Sequence, residues 1–305
     1  MLPPVADDVA RRPPCALPCA EACISIVTHI PSISIVTPSL NQGAFLTDAL
    51  LSVKNQKYGE LEHLVIDGGS ADDTIKILCR YSEEACWKQL RWTSEPDHGQ
   101  SHALNKGFAK ASGEIIGWLN ADDRYRPGCL NHVSRIFQER PDIDVVYGDY
   151  TWIDESGRTI QRRREIKFSY FILLYHRVLY IPTTATFFRR RVIDEGNWLD
   201  ENLYYAMDYE FFVRLASRGY RFLHVSTTLG DFRFQRASKT CRSPHKQREE
   251  VNRLVTSKSP VLCRLESSAV RIAVLTVLRS CAAAMRYSEK LVRGYYFDRF
   301  RASGY

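Results

Sequence analysis

Two adjacent carboxylates, Asp122 and Asp123, are the residues of this chain best suited to chemistry, because they lie just beyond the apolar segment 115–119. That segment predicts a buried strand, and ligands of an open α/β sheet bind beyond the carboxyl ends of its strands. Carboxylate oxygens at such a place suit Mg²⁺ or Mn²⁺ held against a phosphorylated substrate. The same pair would also fit a helix cap or a turn, so both interpretations stay open at this point.

Two further polar motifs follow earlier predicted strands. The first, residues 37–41, contains Pro38, Ser39 and Asn41. In the second, Asp67 precedes a Gly-Gly turn, whose glycines allow a ligand to approach the backbone closely. The Asp67 carboxylate could accept a hydrogen bond from a nucleobase or a ribose hydroxyl, or it could hold the turn itself.

A third motif, residues 95–107, opens a predicted helix with Gln100 near its start and Lys106 further along. The amino end of a helix and a nearby lysine both offer N–H donors and positive charge. This combination predicts a site for a diphosphate group.

Late in the chain, Asp208 precedes a predicted helix at 209–217. A carboxylate held about 3 Å from an acceptor hydroxyl can act as a general base. The amides at the start of the helix would hold this carboxylate and lower its pKa. A simple helix cap is the alternative role for Asp208, and Glu210 with Arg214 is expected to form a structural ion pair.

Strand and helix patterns alternate through the first half of the chain, which predicts an α/β fold with a mostly parallel sheet flanked by helices. The second half is less regular. Residues 147–153 and 159–163 predict a hairpin, and a strand at 183–188 and a helix at 209–217 precede a strand at 220–227. In the first half, the predicted strands are 32–37, 62–67, 90–94, 114–119 and 144–147, and the predicted helices are 45–56, 71–81, 100–111 and 130–138.

In this order and spacing, the motifs at 38–41, 67–74, 95–107 and 120–123 resemble glycosyltransferase family 2, which has a GT-A fold with a Rossmann-type sheet. The resemblance runs from about residue 32 to about residue 222. It implies transfer of a sugar, with inversion, from a nucleotide-diphosphate donor to a hydroxyl of a glycan or a lipid-linked acceptor. A UDP-sugar is the expected donor. The residues expected to contact the donor nucleotide are Pro38, Ser39, Asn41, Asp67, Gln100, Lys106, Asn120 and Ala121.

The resemblance also implies roles for three carboxylates. Residues 120–122 stand where the family has its DxD motif, so Asp122 resembles the carboxylate that binds Mg²⁺ or Mn²⁺, with Asp123 in support. Asp208 resembles the catalytic base. The chain departs from the family pattern at Asn120 and Met207, where Asp and Glu are usual, and a weaker metal site is the expected consequence.

Two other functions remain open on the sequence. A sugar-nucleotide or glycan-binding protein with weakened catalysis would account for the departures at Asn120 and Met207. A nucleotidyltransferase would also need an α/β sheet and metal-binding carboxylates. It would be expected to carry a basic, glycine-rich loop after the first strand, and residues 37–42 contain no glycine and no cation.

Charge is distributed unevenly over the 305 residues, whose net charge is +7. From residue 236 onwards there are 15 Lys or Arg and five Asp or Glu, whereas the rest of the chain holds 27 and 30. The near-neutral core argues against nucleic-acid binding, and the basic tail predicts contact with an anionic membrane surface. The tail helix expected around 270–285 would either lie in a membrane interface or pack on the core with its basic residues in solvent.

These features predict a disordered leader at 1–31, a catalytic domain at 32–235 and a basic helical extension at 236–305. Within the catalytic domain, residues 32–125 form the donor half and 126–235 the acceptor half. The nine cysteines contain no CxxC pair, which favours free thiols in a reducing compartment over a zinc site. Without an uninterrupted apolar run of about 18 residues, no transmembrane helix is predicted. We therefore expect a cytoplasmic protein, peripheral at the inner face of the cell membrane.

Overall fold

The computed structural model describes residues 29–83, 87–176, 178–235 and 243–295. The predicted leader lies outside this part of the chain, apart from residues 29–31. The strands are β1 (Ile33–Ser39), β2 (Leu61–Asp67), β3 (Leu90–Ser94), β4 (Ile115–Trp118), β5 (Arg124–Tyr125), β6 (Val145–Ile153), β7 (Thr159–Arg163), β8 (Thr186–Arg189) and β9 (Phe222–Arg233). The α-helices are α1 (Gly43–Lys54), α2 (Thr74–Glu83), α3 (Gln100–Lys110), α4 (Cys129–Glu139), α5 (Tyr170–Tyr175), α6 (Arg191–Asp194), α7 (Met207–Ser217), α8 (Pro244–Lys258) and α9 (Ser268–Val292).

The described strands form one sheet in the order β3-β2-β1-β4-β8-β6-β9-β5, and β7 pairs with the C-terminal part of β6, from Tyr150 to Ile153. Strands β3, β2, β1 and β4 are parallel. Every residue of β1 and β4 is buried, as expected for parallel strands that are covered by helices on both faces. The predicted α/β fold is therefore confirmed, and its parallel part carries the motifs of the donor half.

Helix α3 packs directly on β1 through Gly107. A Cβ atom at this position would collide with Val36, so glycine permits the close approach of the helix to the sheet. The buried residues Ala103, Leu104 and Phe108 lie on the same face of α3. This packing fixes the amino end of α3 at the carboxyl end of the sheet.

The predicted acceptor half, residues 126–235, is built around β8, which pairs antiparallel with both β4 and β6. The predicted hairpin of β6 and β7 is present. The strand predicted at 183–188 was wrong in its first half, where Thr183–Ala185 form a 3-10 turn before β8. The Thr184 hydroxyl donates to Asp123, and this contact holds the turn out of the strand. The pattern also missed α5, a single short turn whose amino end is capped by Ser169.

The C-terminal extension contains α8 and α9. Leu275, Leu278 and Ala282 of α9 pack into the same hydrophobic cluster as α5 and α7. One window of α9 has a mean hydropathy of 1.5, so α9 is long and apolar enough to cross a membrane by composition. The expectation of no transmembrane helix considered only uninterrupted apolar runs, and Arg271 and Arg279 interrupt α9.

Candidate active site

The register of the parallel strands brings the donor-half motifs to one edge of the sheet. Ser39 lies beside Asp67, and Asp67 lies beside Ser94. On the other side of β1, the Leu119 amide donates to the Val36 carbonyl, so the segment after β4 leaves the sheet next to β1. The motifs that the sequence placed at strand ends are therefore neighbours in space.

Asp67 is fully buried and its carboxylate is occupied by its own turn. Its Oδ2 accepts from the amides of Gly69 and Ser70 at 3.0 and 2.9 Å and from the Ser94 hydroxyl at 2.7 Å. Its Oδ1 accepts from the Ser70 hydroxyl at 2.5 Å. These contacts correspond to the turn-holding alternative, and a nucleobase could reach Asp67 only after a rearrangement of this turn.

The first motif holds the same turn from the β1 side. Asn41 adopts a left-handed backbone conformation (φ 52°), and its Oδ1 accepts from the Ala71 amide at 2.9 Å. The Asn41 amide in turn donates to the Ser70 hydroxyl at 2.7 Å. The hydroxyl of Ser39 is buried and has no hydrogen-bond partner within the described part of the chain. Pro38 lies one residue earlier in β1, beside Ile66.

Gln100 and Asn120, which the sequence assigned to separate motifs, are in direct contact. The side-chain amide of Gln100, at the start of α3, donates to Asn120 Oδ1 at 3.0 Å. The indole N–H of Trp118 donates to the same oxygen at 2.9 Å. Lys106 lies further along α3 and forms an ion pair with Glu95 at 2.8 Å. The side chain of Ala121 packs with Leu46 and Leu50, which leaves only the backbone of Ala121 for a ligand.

Asp122 and Asp123 have different environments. Asp123 is fully buried, and its oxygens accept from the Arg233 amide at 2.8 Å, from the Thr184 hydroxyl and from the side-chain amide of Asn120 at 3.2 Å. Asp122 is partly exposed, and its Oδ2 accepts from Gln235 at 2.6 Å. Burial raises the pKa of both carboxyls, and the neighbouring Asp122 charge raises the pKa of Asp123 further.

Arg233 contacts both Asp122 and Asp123, and the sequence did not indicate this residue. Its guanidinium is buried, donates to the Asp122 carbonyl at 2.8 Å, and forms an ion pair with Asp48 at 2.6 Å. Two carbonyls of the β6–β7 turn also accept from it. Gln235 follows two residues later. Both residues lie about 110 positions from the carboxylates in sequence, so no local pattern could have indicated the contact.

Asp208 lies in the first turn of α7 and is partly exposed. Its Oδ1 accepts from the Tyr209 amide at 2.7 Å. Burial raises the pKa of Asp208 to about 6, although the hydrogen bond from Tyr209 lowers it. The predicted lowering of this pKa by helix amides was therefore wrong in net direction, because desolvation outweighs the amides. A carboxyl with this pKa is half-ionised near the pH at which a base operates.

Helix α7 is attached to the donor half at the residue before Asp208. The Ser101 hydroxyl of α3 lies 2.8 Å from the sulfur of Met207. Since Gln100 contacts Asn120, the first turn of α3 touches both the donor-side loop and the helix that carries Asp208. The predicted ion pair of Glu210 and Arg214 is also present, at 3.0 Å.

Glu250 of α8 is a second residue that the sequence did not reveal. Its buried carboxylate accepts from the amides of Tyr205 and Ala206, both at 2.7 Å, and from the amide of Tyr204 at 3.2 Å. The segment leading into α7 is thus fixed by an acidic side chain from the C-terminal extension. The charge of Glu250 also contributes to the raised pKa of Asp208.

The family model described as "Glycosyl transferase family 2" matches residues 34–196, more than half of the chain. The chain belongs to glycosyl transferase family 2. The match includes the motifs at β1, β2, α3 and β4 and ends before Asp208. The family assignment thus covers the donor half, and the role of Asp208 depends on its geometry.

The curated relatives of this family 2 chain include proteins that are named glycosyltransferases. An uncharacterized glycosyltransferase of Mycobacterium tuberculosis is 30% identical over 192 residues, which cover 62% of this chain and 71% of the relative. The O-antigen biosynthesis protein RfbC of Myxococcus xanthus is 32% identical over 152 residues, 48% of this chain and 12% of RfbC.

Solved structures confirm the GT-A-type fold. S. aureus TarS in complex with UDP-GlcNAc is 18% identical, with a TM-score of 0.62 over 87% of this chain and 75% of the TarS chain. The mannosyltransferase PcManGT of Pyrobaculum calidifontis, in complex with GDP-Man and Mn²⁺, is 17% identical, with a TM-score of 0.55 over 84% of this chain and 76% of its own.

Of the two adjacent carboxylates of this family 2 chain, only Asp122 can serve as a ligand of a divalent cation. In the part of the chain that the structure describes, no group of three or more His, Cys, Asp or Glu side chains is placed to hold a metal ion. A single partly exposed carboxylate suits a cation whose other ligands are phosphate oxygens and water. Both oxygens of Asp123 are already engaged, so Asp123 supports the loop and leaves the ligand position to Asp122.

Proposed function

We propose that this chain transfers a sugar, with inversion, from a UDP-sugar to an acceptor hydroxyl of a glycan or a glycolipid. One relationship supports the proposal most strongly. The first turn of α3 contacts the donor-side Asn120 through Gln100 and the start of α7 through Ser101. A donor bound beyond β1 and β4 would therefore lie next to the helix that carries Asp208.

Asp208 acts as the base in this mechanism. Its carboxylate accepts the proton of the acceptor hydroxyl while the hydroxyl oxygen bonds to the anomeric carbon from the face opposite the leaving diphosphate. The bond between that carbon and the diphosphate oxygen breaks, and the transition state has oxocarbenium character. The Tyr209 amide fixes one carboxylate oxygen of Asp208, which leaves the other for the acceptor.

In this proposal the donor diphosphate binds at the amino end of α3, where helix N–H groups favour an anion. Asp122 would hold Mg²⁺ or Mn²⁺, which offsets negative charge on the leaving diphosphate. Lys106 of α3 pairs with Glu95, so it would contact phosphate only after exchanging partners. Structures with this fold include complexes with UDP-GlcNAc and with GDP-Man, which supports a nucleotide sugar as the donor.

A sugar-nucleotide or glycan-binding protein of weakened activity is the second candidate, favoured by Asn120 and Met207 in place of the usual acidic residues. Asn120 can still accept from Gln100 and Trp118, but it brings no charge to a cation. We place the protein in the cytoplasm, at the inner face of the cell membrane, where lipid-linked acceptors are accessible.

The test is donor turnover by the full chain with UDP-sugars and GDP-sugars, in the presence of Mn²⁺, Mg²⁺ or EDTA. We expect release of UDP from one UDP-sugar, dependent on the cation, with the α-linked donor giving a β-linked product. Donor-induced thermal stabilisation without any release of nucleotide would instead favour the binding protein. Turnover that is unchanged in EDTA would contradict the role of Asp122.

A further inference from the structure

Helix α9 presents an uncharged face to solvent. Fifteen of its residues are exposed, and none of them is Asp, Glu, Lys, Arg or His. Eleven of the fifteen are apolar, and Ile272 and Val277 are 67% and 61% exposed. We call these residues the outer face of α9; they are Ser268, Ala269, Val270, Ile272, Ala273, Thr276, Val277, Ser280, Cys281, Ala284, Met285, Tyr287, Ser288, Leu291 and Val292.

The charged residues of α9 point towards the protein instead. Arg286 and Lys290 form ion pairs with the fully buried Glu165 at 2.7 and 3.1 Å. Glu289 accepts from the amide of Lys167 at 3.0 Å. The remaining two, Arg271 and Arg279, are half-buried and donate to Leu265 and Asn252.

This arrangement is the reverse of a helix on the surface of a soluble protein, where charged residues face water. It also contradicts the alternative in which the basic residues of the tail helix lie in solvent.

Three hydroxyl groups on the outer face form hydrogen bonds within the helix. The hydroxyls of Thr276, Ser280 and Ser288 donate to the carbonyls four residues earlier, at 2.9, 3.0 and 2.7 Å. An apolar surrounding would therefore not leave these donors without a partner, which lowers the cost of removing the face from water.

The segment that precedes α9 exposes a net positive charge. Over residues 243–267, five basic residues are exposed against two acidic ones. Helix α8 touches α9 through Asn252, and Arg248 lies one turn before Asn252 on the same face of α8. Cations beside an uncharged face complement anionic lipid headgroups beside hydrocarbon. A protein partner would more usually meet aromatic and arginine side chains at its centre.

We propose that the outer face of α9 lies in the interface of a membrane that contains anionic lipids, with the exposed cations of α8 against the headgroups. Helix α9 lies on the membrane and does not cross it, because its other side packs on the core through Leu278 and Ala282 and pairs with Glu165. The face is about 37 Å long, at 1.5 Å per residue. Membrane binding goes beyond sugar transfer and does not depend on it.

The test is flotation of the full chain with vesicles of phosphatidylcholine alone or mixed with phosphatidylglycerol. We expect binding to the mixed vesicles. The double variant Ile272→Glu, Val277→Glu should reduce the bound fraction roughly tenfold or more, because it places charge in the apolar boundary. Ile160→Glu is the matched control, since Ile160 is 52% exposed on β7, and it should bind like the unchanged chain.

Thermal melting and donor-induced stabilisation of each variant separate lipid binding from folding and from the proposed transfer. Equal flotation of the double variant and the unchanged chain would overturn the proposal. So would a stable dimer in lipid-free buffer that the double variant abolishes, because a second copy of the chain would then cover the face. Arg248→Gln with Arg253→Gln should weaken binding to the mixed vesicles at low salt only.

Discussion

Asp122 and Asp123 are consecutive residues, yet the Asp123 carboxylate is buried against Thr184 and the Arg233 amide while Asp122 is partly exposed beside Gln235. One carboxylate therefore holds the loop in place, and the other is left partly exposed. This division of roles gives the first prediction.

Asp122→Asn is expected to lower the turnover of donor by roughly a hundredfold, because the ligand charge for the cation is lost, with little change in melting temperature. Asp123→Asn is expected to lower the free energy of unfolding by about 1–3 kcal/mol, since it leaves buried donors imperfectly paired. Calorimetry and steady-state kinetics of both variants measure the contrast. Equal loss of stability in the two variants would contradict it.

The ionisation of Asp208 should determine how the turnover rate falls at acidic pH. The base must be ionised, and its pKa is raised to about 6, so the turnover rate should rise with pH and level off above that value. Asp208→Asn should lower the rate by about 10²- to 10⁴-fold and remove this limb.

The same shift has an effect on stability. Between the ordinary pKa of 3.8 and about 6, the folded chain binds more protons at Asp208 than the unfolded chain does, so stability decreases as the pH rises through this window. Asp208→Asn should therefore melt at a higher temperature than the unchanged chain at pH 7. A lower melting temperature would indicate that Asp208 acts mainly as a helix cap.

Glu250→Gln tests how the C-terminal extension acts on the base. Glu250 raises the pKa of Asp208, so neutralising it should move the acid limb of the rate profile to lower pH. Glu249→Gln, an exposed neighbour on the same helix, is the matched control and should leave the limb in place. If Glu250→Gln lowers the rate at all pH values and leaves the acid limb in place, Glu250 serves only to hold the Tyr204–Ala206 backbone.

Asn120→Asp restores the acidic residue that the family usually carries. A second carboxylate near Asp122 should shift the Mn²⁺ concentration for half-maximal turnover downwards. It should also lower the melting temperature in the absence of metal, because Asn120 now donates to Asp123 and a carboxylate would repel it. Titration with Mn²⁺ and melting in EDTA check the two effects separately. An unchanged metal titration would place Asn120 outside the cation site.

Local patterns predicted the donor half well, because parallel strands such as β1 are continuous apolar runs and each is followed by its own polar motif. Contacts of long sequence separation could not be predicted in this way. Arg233 reaches Asp122 from 111 residues away, and Glu250 reaches Ala206 from 44. The direction of the Asp208 pKa also escaped prediction, since burial depends on the packing around α7 and not on the helix start alone.

The Gln100 and Ser101 contacts place a single helical turn between Asn120 and the helix bearing Asp208. A donor that moves Asn120 would therefore also move the turn that contacts Met207, next to Asp208. We therefore expect compulsory-order kinetics, in which the sugar nucleotide binds first and the acceptor associates only with the binary complex. Product inhibition by UDP would then be competitive towards the donor and not towards the acceptor.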